Sequence, residues 1–295
     1  MKYRKLGSTG LLVSEIGLGC EGFAEDECRN TKRLLDEAES QGINYFDLYA
    51  SDPKVRASVG EALRGRREKF MIQSHVCSVW KDGQYKRTRN IDEVKAGMEE
   101  MLSLLQTDYI DVGMIHYVDS VKDWHTVAGG PVLAYVKELK EKGVIRHIGL
   151  SSHNPEVALE AVKSGDIEVL MFSVNPCYDL QPASEDVEEL WAEKNYKEHL
   201  TNMNPERQEL YETCQRLGIG ITVMKAFGGG DLLDEKLSPA GKALTVNQCI
   251  HYALTRPGVA TVLTGAHSVE QLEESIAYEE AAEEERDYAP AFASF

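Results

Sequence analysis

Short apolar runs recur along the chain, each ending on a polar residue ahead of a helix-like stretch. The run Tyr109–Ile115 (YIDVGMI) is rich in Ile, Val and Met and stops at His116. NYF is followed by Asp47, FMIQS by His75, IRHIGL by Ser151 and Ser152, VLMFSV by Asn175, and GITVM by Lys225. Runs of this kind read as strands buried on both faces. In between, apolar residues recur at three- and four-residue steps. Val94, Met98, Met101 and Leu105 do so within a helix predicted over residues 91–105.

Residues 2–6 and 11–13 flank Gly7-Ser-Thr-Gly10 and predict a short hairpin that caps the closed end of a larger fold. Strands are expected at 16–18, 44–46, 70–74, 109–115, 144–150, 169–174, 219–224 and 259–263. Helices are expected at 28–41, 54–63, 91–105, 131–142, 205–217 and 246–255, with further starts at Asn154-Pro155 and near Ser268. Gly42, Gly143 and Gly218 stand where helices should stop. Eight strand–helix units with a polar group at each strand tip describe a (β/α)8 TIM barrel, α/β in class, with a short N-terminal β-hairpin. With no linker between halves, residues 1–295 are expected to form one barrel domain. A doubly wound sheet is the competing layout. It wants a Gly-rich phosphate turn after an early strand, and GLGCEG (17–22) begins that spacing. The eighth unit and the even spacing favour the barrel. Residues 179–203 are too long and acidic for an ordinary connection and are expected to form a substrate-side loop.

Composition narrows the class. With 42% apolar and 27% charged residues the chain reads as a soluble globular protein. Its six cysteines are scattered without a CxxC, which argues against a disulfide framework or zinc knuckle and suits a reducing cytoplasm. The N-terminus lacks the apolar core of a secretion signal, and no run is long enough for a membrane span. A formal net charge of −17 opposes nucleic-acid binding, though local donors can still hold a small anion. The expected partner is a small molecule. The acidic residues after Glu270 read as a solvated helix face.

Asp47, His75 and His116 fall on neighbouring strand tips. A carboxylate beside two imidazoles suits proton transfer near neutral pH, with one ring free to donate to an oxyanion. The same trio is a credible metal-ligand set for a lyase or isomerase. It is also compatible with buried, hydrogen-bonded residues that do no chemistry.

The segments YRKLGSTGLLVSEIGLG, INYFD, SVGEAL, QTDYIDVGMIHYVD, GVIRHIGLSSHNPE and VLTGAHSVEQLEE together resemble the aldo/keto reductase family over nearly the whole chain. The resemblance implies a barrel that binds NADP or NAD at its C-terminal face. Hydride then passes between nicotinamide and a carbonyl or alcohol, while an Asp-Tyr-Lys-His tetrad moves the proton. Asp47 matches the tetrad Asp and His116 the tetrad His. The family's Tyr position holds Asp52 and its Lys position holds His75. An Asp47–His75 pair is therefore expected in place of Asp–Lys, with Tyr49 or His116 as proton donor. A barrel that has lost its tetrad and only senses the dinucleotide is the alternative.

For the cofactor, the resemblance assigns Gly19 and Cys20 at the first strand tip, and Ser151, Ser152 and Asn175 to the carboxamide. Met224, Lys225 and Ala226, with the loop to Gly228 and Gly230, are assigned to the pyrophosphate. Gly265, His267, Gln271 and Ser275 fall to the adenosine end. No metal is assigned. Tyr49, Trp80, Tyr117, Trp124 and Tyr178 are expected to shape a substrate pocket or to pack in the core. The chain also resembles a bacterial branch whose longer members carry a ferredoxin-like, Cys-rich tail. No cysteine follows Cys249, so no iron–sulfur cluster is expected of these residues.

Overall fold

The computed structural model describes residues 1–23, 28–181, 183–186, 189, 203–239 and 241–292. It opens with a two-stranded hairpin, β1 (Tyr3–Lys5) and β2 (Leu12–Ser14). Then come β3 (Ile16–Leu18), α1 (Arg29–Ser40), β4 (Tyr45–Leu48), α2 (Pro53–Ala62) and β5 (Met71–Val76). A second hairpin, β6 (Ser78–Lys81) and β7 (Gln84–Arg87), precedes α3 (Ile91–Leu105) and β8 (Ile110–Ile115). Beyond lie α4 (Val121–Ala128), α5 (Pro131–Glu141), β9 (Ile145–Ser152), α6 (Pro155–Ser164) and β10 (Val169–Ser173). The last units are α7 (Pro205–Leu217), β11 (Gly220–Met224), α8 (Val246–Leu254), β12 (Val259–Thr264) and α9 (Val269–Ile276).

Strands β3, β4, β5, β8, β9, β10, β11 and β12 pair in parallel and close on themselves as an eight-stranded barrel. The doubly wound alternative is thereby overturned, and GLGCEG is a strand tip rather than a phosphate turn of that fold. Among the elements that went unforeseen are the β6–β7 hairpin and α4. The expected loop at 179–203 lies largely outside the described residues.

Local chemistry sets the element ends. Asp52 caps α2, accepting from the Lys54 N–H at 2.8 Å with Pro53 in the first turn. Asn154 caps α6 in the same way at 3.0 Å. The first hairpin seals the N-terminal end of the barrel. There Ser8 N–H bonds the Gly218 carbonyl at 2.7 Å, and a Cβ on Gly7 (φ 54°) would collide with that same oxygen. Leu6 and Val13 reach inward to join Tyr45, Val112, Met114, Val169 and Met171 inside the barrel. The larger core lies between the strands and the helical ring, from Leu34 and Leu35 round to Ile250 and Leu272. At about 25 cal/mol per Å² of apolar surface removed from water, that shell is the main stabilising term. Among the described residues no helix is long and apolar enough to cross a membrane.

Candidate active site

Side chains alternate along a strand, so every second residue of a barrel strand enters the lumen. Tyr45 lies below Asp47 on β4, Gln73 below His75 on β5, and Met114 below His116 just past β8. Gly149 on β9 leaves the space that Met114 fills. Each inward file ends at the C-terminal rim on an ionisable group. All three expected catalytic residues there are buried: Asp47, His75 and His116.

They form a line. Asp47 Oδ1 accepts from His75 Nε2 at 3.1 Å and from Gln73 Nε2 at 2.6 Å. His75 Nδ1 and His116 Nδ1 lie 2.6 Å apart, and His116 Nε2 is 2.9 Å from the Tyr85 hydroxyl. With both rings neutral, these partners select one tautomer of each. His75 gives its Nε2 proton to the carboxylate, His116 gives its Nδ1 proton to His75, and Tyr85 gives its hydroxyl proton to His116. Below the line, Gln73 Oε1 accepts from Tyr45 at 2.8 Å and from Thr222 at 3.0 Å, which locks the amide that orients Asp47. Asp47 Oδ2 has no partner among the described residues.

Charge states follow from surroundings. Burial pushes the His116 imidazole well below its ordinary range, and the nearby His75, Arg89, Arg87 and His153 push it the same way. His116 is thus neutral at physiological pH. Burial raises the Tyr85 phenol, so it keeps its proton. The trio does not converge on one point, and both nitrogens of each ring are already bonded. Among the described residues no group of three His, Cys, Asp or Glu side chains is placed to hold a metal.

Tyr85 was missed at the sequence level. It sits on β7 opposite Trp80, half exposed. The turn between the strands is Asp82-Gly83, both left-handed (φ 53° and 77°). Asp-Gly between two four-residue strands is a strong short-range hairpin signal, and it was available. The hairpin is tied down by Arg56 on the Ser78 carbonyl (3.0 Å) and by Lys81, Lys86 and Thr88 on Glu93. Those donors hold the Glu93 carboxyl down to about 2. Tyr49 is placed elsewhere: its carbonyl accepts from Ser78 Oγ, but its hydroxyl makes no hydrogen bond among the described residues. Burial, then the charges of Cys20, Glu21 and Asp47, raise its phenol. Asp52 is spent as the α2 cap. Trp124 is core, Tyr178 is buried just past β10, and Tyr117 stands beside His116.

On the cofactor side the structure divides the expected residues. Ser151 Oγ accepts from Tyr117 N–H at 2.8 Å and keeps its own O–H without an acceptor among the described residues. Lys225, left-handed (φ 60°) and exposed, makes no ion pair among them. Gly228, Gly229 and Gly230 follow, all left-handed, with open space where Cβ atoms on Gly229 and Gly230 would stand. Gly22 packs so closely on Ala266 and His267 that a Cβ would collide, and Asn30 bonds both carbonyls of that junction at 2.8 Å. Other side chains are committed to the protein itself. Ser152 Oγ donates to Asp119, and Asn175 bonds the Lys225 carbonyl and the Cys177 and Tyr178 N–H groups. Gln271 Oε1 accepts from His267 N–H, and Ser275 donates to the Gln271 carbonyl. The Glu21 side chain lies across Gly19 and Gly265, where the charges of Lys225 and His267 act on it. Cys20 is buried beneath, and burial pushes its thiol up.

Comparison with known proteins gives one consistent answer. The family model "Aldo/keto reductase family" matches residues 15–248. The chain is 30% identical to the uncharacterized oxidoreductase YqkF of Bacillus subtilis, over 94% of this chain and 90% of that protein. It is 26% identical to L-galactose dehydrogenase of Arabidopsis thaliana, over 94% and 88%. It superposes on the holo form of aldo-keto reductase AKR11C1 from Bacillus halodurans with a TM-score of 0.75 and 26% identity, covering 99% and 95% of the two chains. With a closed barrel carrying Asp47 and His116 at its rim, this chain belongs to the aldo/keto reductase family and is an oxidoreductase.

Proposed function

We propose that the chain is a cytoplasmic enzyme, a single barrel domain over residues 1–295, that transfers hydride between NAD(P) and a carbonyl or alcohol. We assign the proton donor to Tyr85, acting through His116, His75 and Asp47. The observation that carries this reading is the unbroken hydrogen-bond line from Asp47 to a half-exposed phenol. The six unpaired cysteines support the compartment.

The donor set fits a dinucleotide. Ser151 has a hydroxyl proton to give a carboxamide. Lys225 offers an exposed ammonium with no ion pair among the described residues, the left-handed glycines offer N–H groups that a phosphate can approach closely, and the Ser268 end of α9 adds the dipole of a helix N-terminus. Bound, NADP or NAD supplies or accepts the hydride. Ser152, Asn175, Gln271 and Ser275 shape the groove and hold its walls rather than touch the ligand.

The relay has a polarity. In alcohol oxidation, the substrate hydroxyl gives its proton to the Tyr85 oxygen while Tyr85 passes its own to His116 Nε2. The His116 Nδ1 proton moves to His75 Nδ1, and the new His75 imidazolium rests against the Asp47 carboxylate. Carbonyl reduction runs these transfers backwards and leaves the proton on the new alcohol oxygen. The depressed His116 suits a conduit, because a proton does not stay on it.

Fluorescence titration with NADH and NADPH, followed by a panel of aldehydes and ketones, tests the reading. The expected result is saturable binding with consumption of the reduced cofactor. Tight binding without turnover on any carbonyl would favour a sensor, and stoichiometric zinc or manganese in the purified protein would point to metal chemistry instead.

A further inference from the structure

Next to the relay stands a set of donors that proton transfer leaves unused. Tyr117 follows His116 in a left-handed conformation (φ 51°), which is costly for a bulky residue. Three bonds hold it there. Its N–H donates to Ser151 Oγ at 2.8 Å, and its carbonyl accepts from Arg87 Nη1 at 2.7 Å and Arg89 Nη2 at 3.1 Å. The ring then stands 6.1 Å from His116 and 5.2 Å from His153, with the Arg87 guanidinium 5.1 Å from its centroid.

Most carboxylates nearby are already consumed. Asp119 accepts from Ser152 Oγ (2.9 Å), His153 N–H (2.7 Å) and His153 Nδ1 (2.9 Å). Asp123 is gripped by Arg89 through both oxygens at 3.0 and 2.6 Å and pairs more loosely with Arg87 at 3.7 Å. The Arg87 side chain is 43% exposed and spends one donor on the Tyr117 carbonyl. The Arg89 and Arg87 guanidiniums press on His116 as positive charges. In a chain of net charge −17 this basic edge beside the proton donor is a local exception. Asp186 also acts on the Tyr117 phenol and opposes an anion from its own position.

We propose that Arg87 receives a carboxylate of the substrate against the Tyr117 ring, so that the favoured substrates are carbonyl compounds, or their alcohols, that carry a carboxylate. A guanidinium presents paired N–H donors that match a carboxylate, and an aromatic face beside it suits a planar substrate body. The inference rests on reading Tyr85 and His116 as the proton-delivering end of the site.

4-Carboxybenzaldehyde and methyl 4-formylbenzoate place the same aldehyde on the same ring and differ in charge. Wild type should favour the acid by at least about tenfold in kcat/KM. Arg87→Gln should bring the ratio to within about threefold of one, Arg87→Lys should keep most of the preference, and Asp186→Asn should increase it. A merely structural role for Arg87 would slow both aldehydes in parallel and leave the ratio unmoved. That result, or a wild-type ratio of one or less, overturns the proposal. If neither aldehyde is reduced, the oxidoreductase assignment of the relay fails separately. Calorimetric titration with the same pair then decides the carboxylate site by the ratio of Kd values.

Discussion

Replacing Tyr85 by Phe isolates the end of the relay. The change removes one hydroxyl and its 2.9 Å bond to His116 Nε2 while the ring keeps its place opposite Trp80. Because the side chain is half exposed, stability should change by no more than about 1 kcal/mol. Catalysis should suffer far more. A positioned acid–base group contributes about 10²–10⁴-fold, or roughly 3–5 kcal/mol of barrier at 1.36 kcal/mol per decade. Single-turnover oxidation of bound NAD(P)H, followed by absorbance, separates the chemical step from product release. Tyr49→Phe is the internal control and should stay within about twofold of wild type, since its hydroxyl bonds nothing among the described residues. His116→Ala should also be slow, and its effect should not add to that of Tyr85→Phe, because the two groups act as one unit. A Tyr85→Phe enzyme with normal turnover, or a Tyr49→Phe enzyme that loses it, would return the proton donor to the Asp47 loop and refute the reasoning.

Two further outcomes follow from buried charge. His116 is held neutral, so its contribution to stability is complete above about pH 6.5 and is lost as pH falls, when the unfolded chain takes up a proton that the folded site resists. Urea midpoints at neutral and mildly acidic pH should therefore fall more steeply for wild type than for His116→Asn, and equal slopes would contradict the assignment. Elsewhere, Arg207 and Asp179 form a fully buried ion pair at 3.2 Å, with the Tyr211 and Tyr252 hydroxyls on the same carboxylate at 2.6 and 2.8 Å. Arg207→Leu strands that carboxylate and should cost about 3–5 kcal/mol by thermal or denaturant unfolding. A loss under about 1 kcal/mol would mean the pair is not an anchor.

The barrel was legible because its signal is repeated. A buried strand that ends on a polar residue appears at Asp47, His75, His116, Ser151, Asn175 and Lys225, and the common direction of the parallel strands then carries those residues to one rim. Partners across the lumen were not legible, since no spacing in the chain reports that Gln73 meets Thr222 or that two imidazoles share one proton. Tyr85 was hidden for a different reason. Residues 78–87 alternate weakly and are mostly polar, so periodicity passed over them, while the Asp82-Gly83 turn that names the hairpin carries no apolar signal. The bonds that Ser152, Asn175 and Gln271 make were not legible either, because each partner is a backbone or side-chain group whose position only the folded structure gives.

The phenol sits on an Asp-Gly hairpin that pairs with none of the barrel strands. Its reach depends on residues 78–87 and their straps to Arg56, Glu93 and the Tyr117 carbonyl, and the hairpin itself takes no part in closing the barrel. The acid of such a site can be re-aimed, lengthened or exchanged by editing an excursion between β5 and α3, while the machinery beneath stays untouched. In chains of this design, the reacting hydroxyl should be sought on whichever overhang covers the outermost imidazole, not at a fixed distance from the aspartate.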